Sequence, residues 1–297
     1  MIINQTNIKN FFTGFKAAYI KGFDGTTSHY DKIAMTTKSS SREEEYGWLG
    51  QFPALREWSG DRIVKNLQTH GFAIKNRKFE STVEVDRDDI ADDSIGIYAP
   101  MFSEMGRTAK QHPDSLVFGL LKNGFTTKCY DGQNYFDADH PLDGSPASNS
   151  PSVSNLQAGS GPAWFLLDTT RIVKPLIWQE REGYEFQSID NFDDRDVFMR
   201  EMFVYGIRAR VNCGFGLWQL AFASKAELTP DNFAAARSAM MNFKGDTGQL
   251  LGVAPNLLIV PPSLEAAGRQ LILADTISGS SNIWRGAAEL LVTHYVA

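Results

Sequence analysis

Between Phe79 and Gly124 the order of apolar and polar residues changes its period once. In FESTVEV (79–85), Phe79, Ser81, Val83 and Val85 fall on one face and Glu80, Thr82 and Glu84 on the other. A period of two marks a half-buried strand. After an acidic turn, Ile95, Tyr98, Met101, Phe102, Met105 and Ala109 recur three or four apart, and Leu116, Val117, Leu120 and Leu121 continue the series. The spacing predicts a helix over 94–123, about 45 Å long at 1.5 Å per residue. Gly124 stands where a helix end wants a residue free to take positive φ. Pro100 and Pro113 each remove an amide donor, so the helix either runs through them or restarts at His112-Pro113-Asp114.

The other segments pack around this strand and helix. Ile8, Phe11, Phe12, Phe15, Ala18 and Tyr19 share one side of a helix over 7–21, ended by Gly22. TTKSSSREEE (36–45) is polar and without period. It reads as an extended arm that either lies on a neighbouring subunit or folds back on its own domain. Trp48, Phe52, Trp58 and Phe72 then follow no helical period. RIVKNLQT (62–69) and FAIKNRKFESTVEV (72–85) predict two strands turning at His70-Gly71. This hairpin region carries Arg56, Arg62, Lys65, Lys75, Arg77 and Lys78. A lone hairpin is marginal in water, so it needs a surface: a cleft in a monomer or a neighbour in an assembly.

Further on, CYDGQNYFDADHP (129–141) is turn chemistry and 144–162 a loop of small residues. KPLIWQER (174–181) reads as a strand, and 197–224 as strand throughout, with bends at Gly206, Gly214 and Gly216. Thr229 caps a helix with Pro230 at its first position, ending near Lys244-Gly245. NLLIV (256–260) is a buried strand, Pro261-Pro262-Ser263 opens another helix, and ELLVTHYV (289–296) closes the chain as a strand. The class is α+β with mixed sheets.

At 297 residues the chain can bury a sizeable core, and 42% hydrophobic with 22% charged residues is ordinary for a globular protein. No apolar run approaches the roughly 20 residues of a membrane span. The first ten residues lack the basic and apolar regions of a signal peptide. The net charge of −6 argues against a nucleic-acid wrapper. Cys129 and Cys213 have neither metal-ligand spacing nor a disulfide framework, which fits a reducing cytosol.

The strongest catalytic candidate is Asp137, Asp139 and His140, whose side chains can bind a divalent metal. A turn in which the aspartates bond nearby amides is the simpler reading, because no second His/Glu pair supplies the remaining ligands. His29, His70, His112 and His294 are scattered singly. The acidic run 84–93 lacks the glycine and final glutamate of a Ca²⁺ loop and suits a helix N-terminus. DNFDDRD (190–196) reads as a solvated turn between strands. No phosphate loop or G-x-S-x-G elbow is present, and neither cysteine has a histidine partner in sequence. No catalytic residue, cofactor or metal is expected.

Five stretches together resemble the Mu-like phage major head subunit family. They are YGWLGQFPALREWSGDR (46–62), FESTVEVDRDDIADDSIGIY (79–98), CYDGQNYFDADHP (129–141), YGIRARVNCGFGLWQLAFAS (205–224) and the stretch from Asn232 to Leu273. The order and spacing of these stretches, rather than any single motif, make the resemblance specific. GDTGQLLGVAPNLLIVPPSLE (245–265) is also similar to tailed-phage major capsid proteins more broadly.

The resemblance implies the Hong Kong-97-type capsid fold. On it, residues 1–45 form an N-terminal arm, 46–80 an extended loop and 81–124 the peripheral domain with its spine helix. Residues 125–170 contribute to the axial domain and an exposed loop, 171–222 are peripheral-domain strands, and 223–297 complete the axial domain. The implied function is a structural head subunit that self-assembles, as pentamers and hexamers, into the icosahedral shell around the double-stranded DNA of a tailed phage or prophage. Trp48, Arg56, Trp58, Arg62, Lys65, Lys75 and Arg77 are the expected inter-subunit contacts. The chain begins at Met1, and no removed N-terminal scaffold segment is expected. A separate scaffolding protein, a portal, a decoration protein and non-specifically contacted DNA are the implied partners, without a membrane. The implied location is the virion, assembled in the host bacterial cytoplasm. Two alternatives are a non-viral shell subunit of the same fold and a metal-dependent enzyme using Asp137, Asp139 and His140.

Overall fold

The computed structural model describes residues 5–50, 72–91, 95–141, 152–191, 193–245 and 248–297. Helix α1 (Gln5–Asp24) leads through the single turn α2 (Tyr30–Ile33) into strands β1 (Ala34–Lys38) and β2 (Glu43–Glu45). β3 (Ala73–Lys75), β4 (Arg77–Asp86), α3 (Arg87–Ala91) and the long α4 (Ile95–Lys122) follow. Three two-residue strands, β5 (His140–Pro141), β6 (Ser152–Val153) and β7 (Leu156–Gln157), precede β8 (Trp164–Leu167). Next come β9 (Leu176–Ile189), α5 (Arg195–Arg200), β10 (Met202–Phe215) and β11 (Ala221–Ser224). The chain ends with α6 (Pro230–Met241), β12 (Leu257–Val260), α7 (Glu265–Ile272), the small pair β13 (Thr276–Ile277) and β14 (Ser280–Ser281), and β15 (Glu289–Val292).

Two sheets organise these elements. The first has the order β1-β9-β10-β4, with β1 parallel to β9 and the other pairs antiparallel. The alternation in 79–85 is realised in β4: Val85 is buried, Phe79 and Val83 are half-buried, and Glu80, Thr82 and Glu84 are exposed. On the outer face Glu182 accepts hydrogen bonds from Arg208 and, at 2.9 Å, from Arg210. The second sheet has the order β15-β12-β8-β11-β7, and every residue of β8, β11 and β12 is buried. Covering on both faces explains why these strands read as continuous apolar runs.

α4 is one helix of 28 residues that continues through both prolines, about 42 Å long by the standard rise. Its first half is covered by α1. Phe15 stacks on Phe102 with ring centroids 4.4 Å apart, Tyr19 reaches Gly106, and Lys110 sits 4.9 Å above the Phe23 ring, so the two helices run in the same direction. Glycines make their approach possible. A Cβ at Gly22 would lie 2.9 Å from Cα of Ser103 and closer to that residue's carbonyl. One at Gly106 would lie 2.8 Å from the Phe23 amide and closer to the Tyr19 carbonyl oxygen. Ile8, Phe15, Phe102, Val85, Phe203 and Tyr205 form the core between this helix pair and the first sheet. The second half of α4 is covered from the C-terminus. Val296 is buried, the Tyr295 ring lies parallel to that of Phe118, and Lys122 donates to the Ala297 carbonyl.

Several local expectations are corrected. α1 continues past Gly22 to Asp24, because that glycine serves the crossing rather than the helix end. Gly124 is not among the positive-φ residues. It lies in a 3₁₀ turn, and a Cβ there would stand 2.7 Å from the Phe136 ring, so its small size admits that ring. The polar stretch 36–45, left open between a neighbouring subunit and its own domain, makes its described contacts with its own domain. Thr36 and Thr37 pair with Trp178 and Gln179, while the Glu44 carboxylate accepts from the amides of Ser40 (2.6 Å) and Ser41 (2.9 Å) and from Ser39 Oγ (3.0 Å). The partner of β3 is β2, and the predicted strand 62–69 lies outside the described residues.

The run 197–224 is not strand throughout. It opens with α5, whose end is turned by Glu201 in the left-handed region at φ 54, a conformation that glutamate does not advertise. The segment 190–196, read as a turn between strands, includes the start of that helix. Thr229 caps α6 by accepting from the Asn232 amide at 3.2 Å, with Pro230 first in the helix as expected, but the helix stops at Met241. The closing strand stops at Val292 and gives way to a 3₁₀ turn over His294–Val296.

Candidate functional site

Among the described residues two features qualify as sites: a buried polar cluster in 129–140, and the large apolar side chains left in solvent.

The cluster does not have the expected membership. His140 is fully buried, and its ring stacks on that of Trp218 with centroids 4.0 Å apart. Its Nδ1 lies 2.8 Å from Asp131 Oδ2, and its Nε2 lies 3.2 Å from Asn155 Oδ1. Asn155 is itself fixed: its side-chain amide donates to the Tyr135 carbonyl at 2.8 Å, and its Oδ1 accepts from the Asp137 amide at 2.9 Å. Asp131 Oδ1 accepts from the Gln133 amide at 3.0 Å and from Cys129 Sγ at 3.1 Å. Burial would raise the Asp131 carboxyl, but the His140 hydrogen bond and charge hold it below its ordinary value. Burial pushes the Cys129 thiol far up, and the Asp131 carboxylate adds to this. Such a thiol is no nucleophile at neutral pH.

Asp137 and Asp139 do not join His140. The Asp137 carboxylate accepts from the Ala138 amide at 2.7 Å and from Asn134 at 3.2 Å, and Asp139 is exposed. The turn reading therefore describes Asp137, while Asp139 faces solvent. The actual partners of His140 lie nine residues upstream at Asp131 and across the fold at Asn155 and Trp218, beyond what local spacing reveals.

The predicted contact residues separate into two groups. Arg56, Trp58, Arg62 and Lys65 lie outside the described residues. Trp48 is partly buried against its own core and edge-on to Tyr46. Lys75 is exposed, and its carbonyl accepts from Asn212. Arg77 is exposed with its guanidinium 5.2 Å over the Phe79 ring.

The structure adds surface residues that the sequence reading missed. In α5, Val197 is buried as an anchor while Phe198 is 77% and Met199 68% exposed. Ile189 and Ile97 are also exposed at this end of the first sheet, where Met202 pairs with Asp86 and Val204 with Ile189. Carboxylates dominate here: segments 84–91 and 190–201 hold nine against three arginines. Elsewhere Ile172 is 95% exposed on a turn held by buried Asp168, which accepts from the Thr170 amide at 3.0 Å and the Ala254 amide at 2.9 Å. Large apolar side chains on well-anchored backbone are the composition of an interface. The adjacency of Phe198-Met199 to an acidic run was the only sequence signal.

Comparison with known proteins places this geometry. The model of the Mu-like prophage major head subunit gpT matches residues 8–296. The chain is 43% identical to the major capsid protein of Escherichia phage Mu over the whole of both chains. It is 40% identical to the Mu-like prophage FluMu major head subunit of Haemophilus influenzae over 97% of each. Its fold is similar to a chain of the bacteriophage JBD30 procapsid, with TM-score 0.86, 42% identity and coverage of 99% and 100%. Against the JBD30 capsid the TM-score is 0.79, at 32% identity and 91% coverage of each chain. The architecture is therefore the α+β Hong Kong-97-type capsid fold, and the chain belongs to the Mu-like prophage major head subunit family.

Proposed function

We propose that this chain is the major capsid subunit of a Mu-like phage or prophage head, closing through copies of itself into a shell around packaged double-stranded DNA. The observation that carries the reading is a family match running from residue 8 to 296. Closed shells repeat heterologous contacts around symmetry axes, and exposed Phe198, Met199 and Ile172 supply apolar surface for them.

Residues 1–45 serve as the arm, 46–80 as the extended loop, which reaches a neighbour from a root held in its own subunit by β2, β3 and β4, and α4 as the spine of the peripheral domain. Trp48, Arg56, Trp58, Arg62, Lys65, Lys75 and Arg77 contribute to inter-subunit contacts, Trp48 through its exposed edge. A scaffolding protein and portal act during assembly in the bacterial cytoplasm, and the product is the virion shell. A decoration protein is a further partner; the related JBD30 capsid is decorated with minor capsid protein trimers.

Negative-stain microscopy and light scattering on the purified protein, with and without its candidate scaffold, test the reading. Shells, tubes or five- and six-fold rings are expected. A monodisperse 33.0 kDa monomer under every condition overturns it. The loop is tested by removing 51–71 rather than a longer stretch, because Ile74 is buried and β3 belongs to the body. That deletion should leave a soluble subunit unable to complete shells, and normal shells would remove the loop from the mechanism.

A further inference from the structure

The His140 cluster has a second possible chemistry that the shell function does not use. One ligand atom from each of Cys129, Asp131 and His140 can be chosen so that all lie within 4.8 Å of one another. We propose that these three side chains form a closed structural site for one divalent cation of the zinc class.

Each residue offers a donor: Cys129 Sγ, an Asp131 carboxylate oxygen and His140 Nδ1, with the second carboxylate oxygen or a water to complete four. The 3.1 Å between Sγ and Oδ1 and the 2.8 Å between Oδ2 and Nδ1 are separations of donors at about a right angle around one ion roughly 2.0–2.3 Å away, so the side chains part by a few tenths of an ångström to reach a tetrahedral arrangement. Cysteine sulfur and imidazole nitrogen select zinc over magnesium or calcium, which take oxygen.

The surroundings are those of a metal-bound histidine. Such a ring donates its other nitrogen to a fixed acceptor, and here Nε2 faces Asn155 Oδ1, whose orientation is set by the Tyr135 carbonyl and the Asp137 amide. Trp218 holds the plane of the ring, and the Gln133 amide braces the carboxylate.

Charge also balances. A thiolate and a carboxylate offset the two positive charges while the imidazole stays neutral, so no net charge is buried. The thiol proton leaves to solvent as the ion binds, because a coordinating cation reverses the cost of burying a thiolate. The ion would staple the two ends of 129–140, a stretch whose only strand residue is His140, to each other, while His140 rests against Asn155 and Trp218.

The test is metal analysis of the full chain purified without chelator from zinc-replete medium, followed by Co²⁺ loading of chelator-treated protein. About one equivalent of zinc per chain is expected, and Co²⁺ should give a sulfur-to-metal charge-transfer band with tetrahedral-type visible absorption. Cys129→Ser and Asp131→Asn should each lower metal affinity at least about tenfold. Asp137→Asn, Asp139→Asn and Cys213→Ser should retain it. Should the first two variants fail to fold, the wild-type cobalt spectrum decides alone. Wild-type protein with less than about a tenth of an equivalent of metal, and no charge-transfer band at excess Co²⁺, leaves a proton-sharing network and overturns the proposal. So does metal that survives Cys129→Ser or departs with Asp139→Asn.

Discussion

Replacing Gly106 by alanine tests the crossing of α1 over α4. On an isolated helix the change is favourable by about 0.5–1 kcal/mol, because alanine loses less backbone freedom. At Gly106 the added Cβ would stand 2.8 Å from the Phe23 amide and closer to the Tyr19 carbonyl oxygen. Both are backbone atoms, so no side chain can swing away, and α1 must retreat by about 1 Å to reach ordinary contact. Complete detachment would expose Ile8, Phe11, Phe15 and Tyr19. At about 1.5–3 kcal/mol for each large side chain that costs roughly 6–12 kcal/mol, so the helix shifts instead. Strain from overfilling a packed contact is about 1–3 kcal/mol, leaving a net loss of roughly 0–2.5 kcal/mol after the gain in helix propensity.

The assay is the urea midpoint of the unassembled subunit, with Gly14→Ala and Gly119→Ala as controls. Those positions, in the same two helices, have nothing within 4 Å of a built Cβ and should gain stability. Gly22→Ala, 2.9 Å from Cα of Ser103, should behave as Gly106→Ala does. The double variant should lose less than the sum, since one retreat relieves both clashes. If Gly106→Ala and Gly22→Ala both gain as much as the controls, the close crossing is refuted.

Three further outcomes follow. Phe198→Asp with Met199→Asp should leave the monomer's thermal midpoint within about 2 °C, as exposed changes do. Shell yield by microscopy should collapse, and unaffected shells would exclude α5 from assembly. Asn155→Ala should cost about 2–4 kcal/mol in urea unfolding, because it strands the Tyr135 carbonyl, the Asp137 amide and His140 Nε2 in a buried region; a loss under about 0.5 kcal/mol would contradict that bonding. The Glu44 carboxyl is held at about 2, first by the amides of Ser40 and Ser41 and then by Ser39. A depressed carboxyl stabilises above its unfolded value and ceases to do so as pH falls through its folded one. Hydrogen exchange at Ser40 and Ser41 should therefore lose relative protection, against intrinsic rates, between about pH 4.5 and 2. Glu44→Gln should abolish that transition, and an identical profile in the variant would refute the assignment.

What the sequence disclosed was whatever depends on neighbours along the chain. β4 and α4 follow from the spacing of Phe79 to Val85 and Tyr98 to Leu121, and the start of α6 follows from Thr229 and Pro230. What it concealed depends on partners far away. Gly22 and Gly106 look like helix defects until the other helix is in place. The arm residues Thr36 and Thr37 carry no apolar pattern because their order comes from backbone pairing with β9. His140 suggested Asp137 and Asp139 by proximity, whereas folding gives it Asp131 and Asn155. Phe198 and Met199 read as strand interior, since nothing local distinguishes an apolar residue that faces the core from one that faces another molecule. The family resemblance reached the function because order and spacing along the whole chain carry information that no single motif holds.

The two ends of the chain lie against the two halves of α4. Its first half is sheathed by α1, and its second half by Tyr295 and Val296. During synthesis the Phe118 side of the helix therefore stays bare until Tyr295 and Val296 have left the ribosome. A nascent chain can complete its α1–α4 half early, but the other half gains its cover only once the turn after β15 has emerged. Chains halted short of Val296 would carry a sticky stripe, fit for a chaperone or a protease rather than for a growing shell.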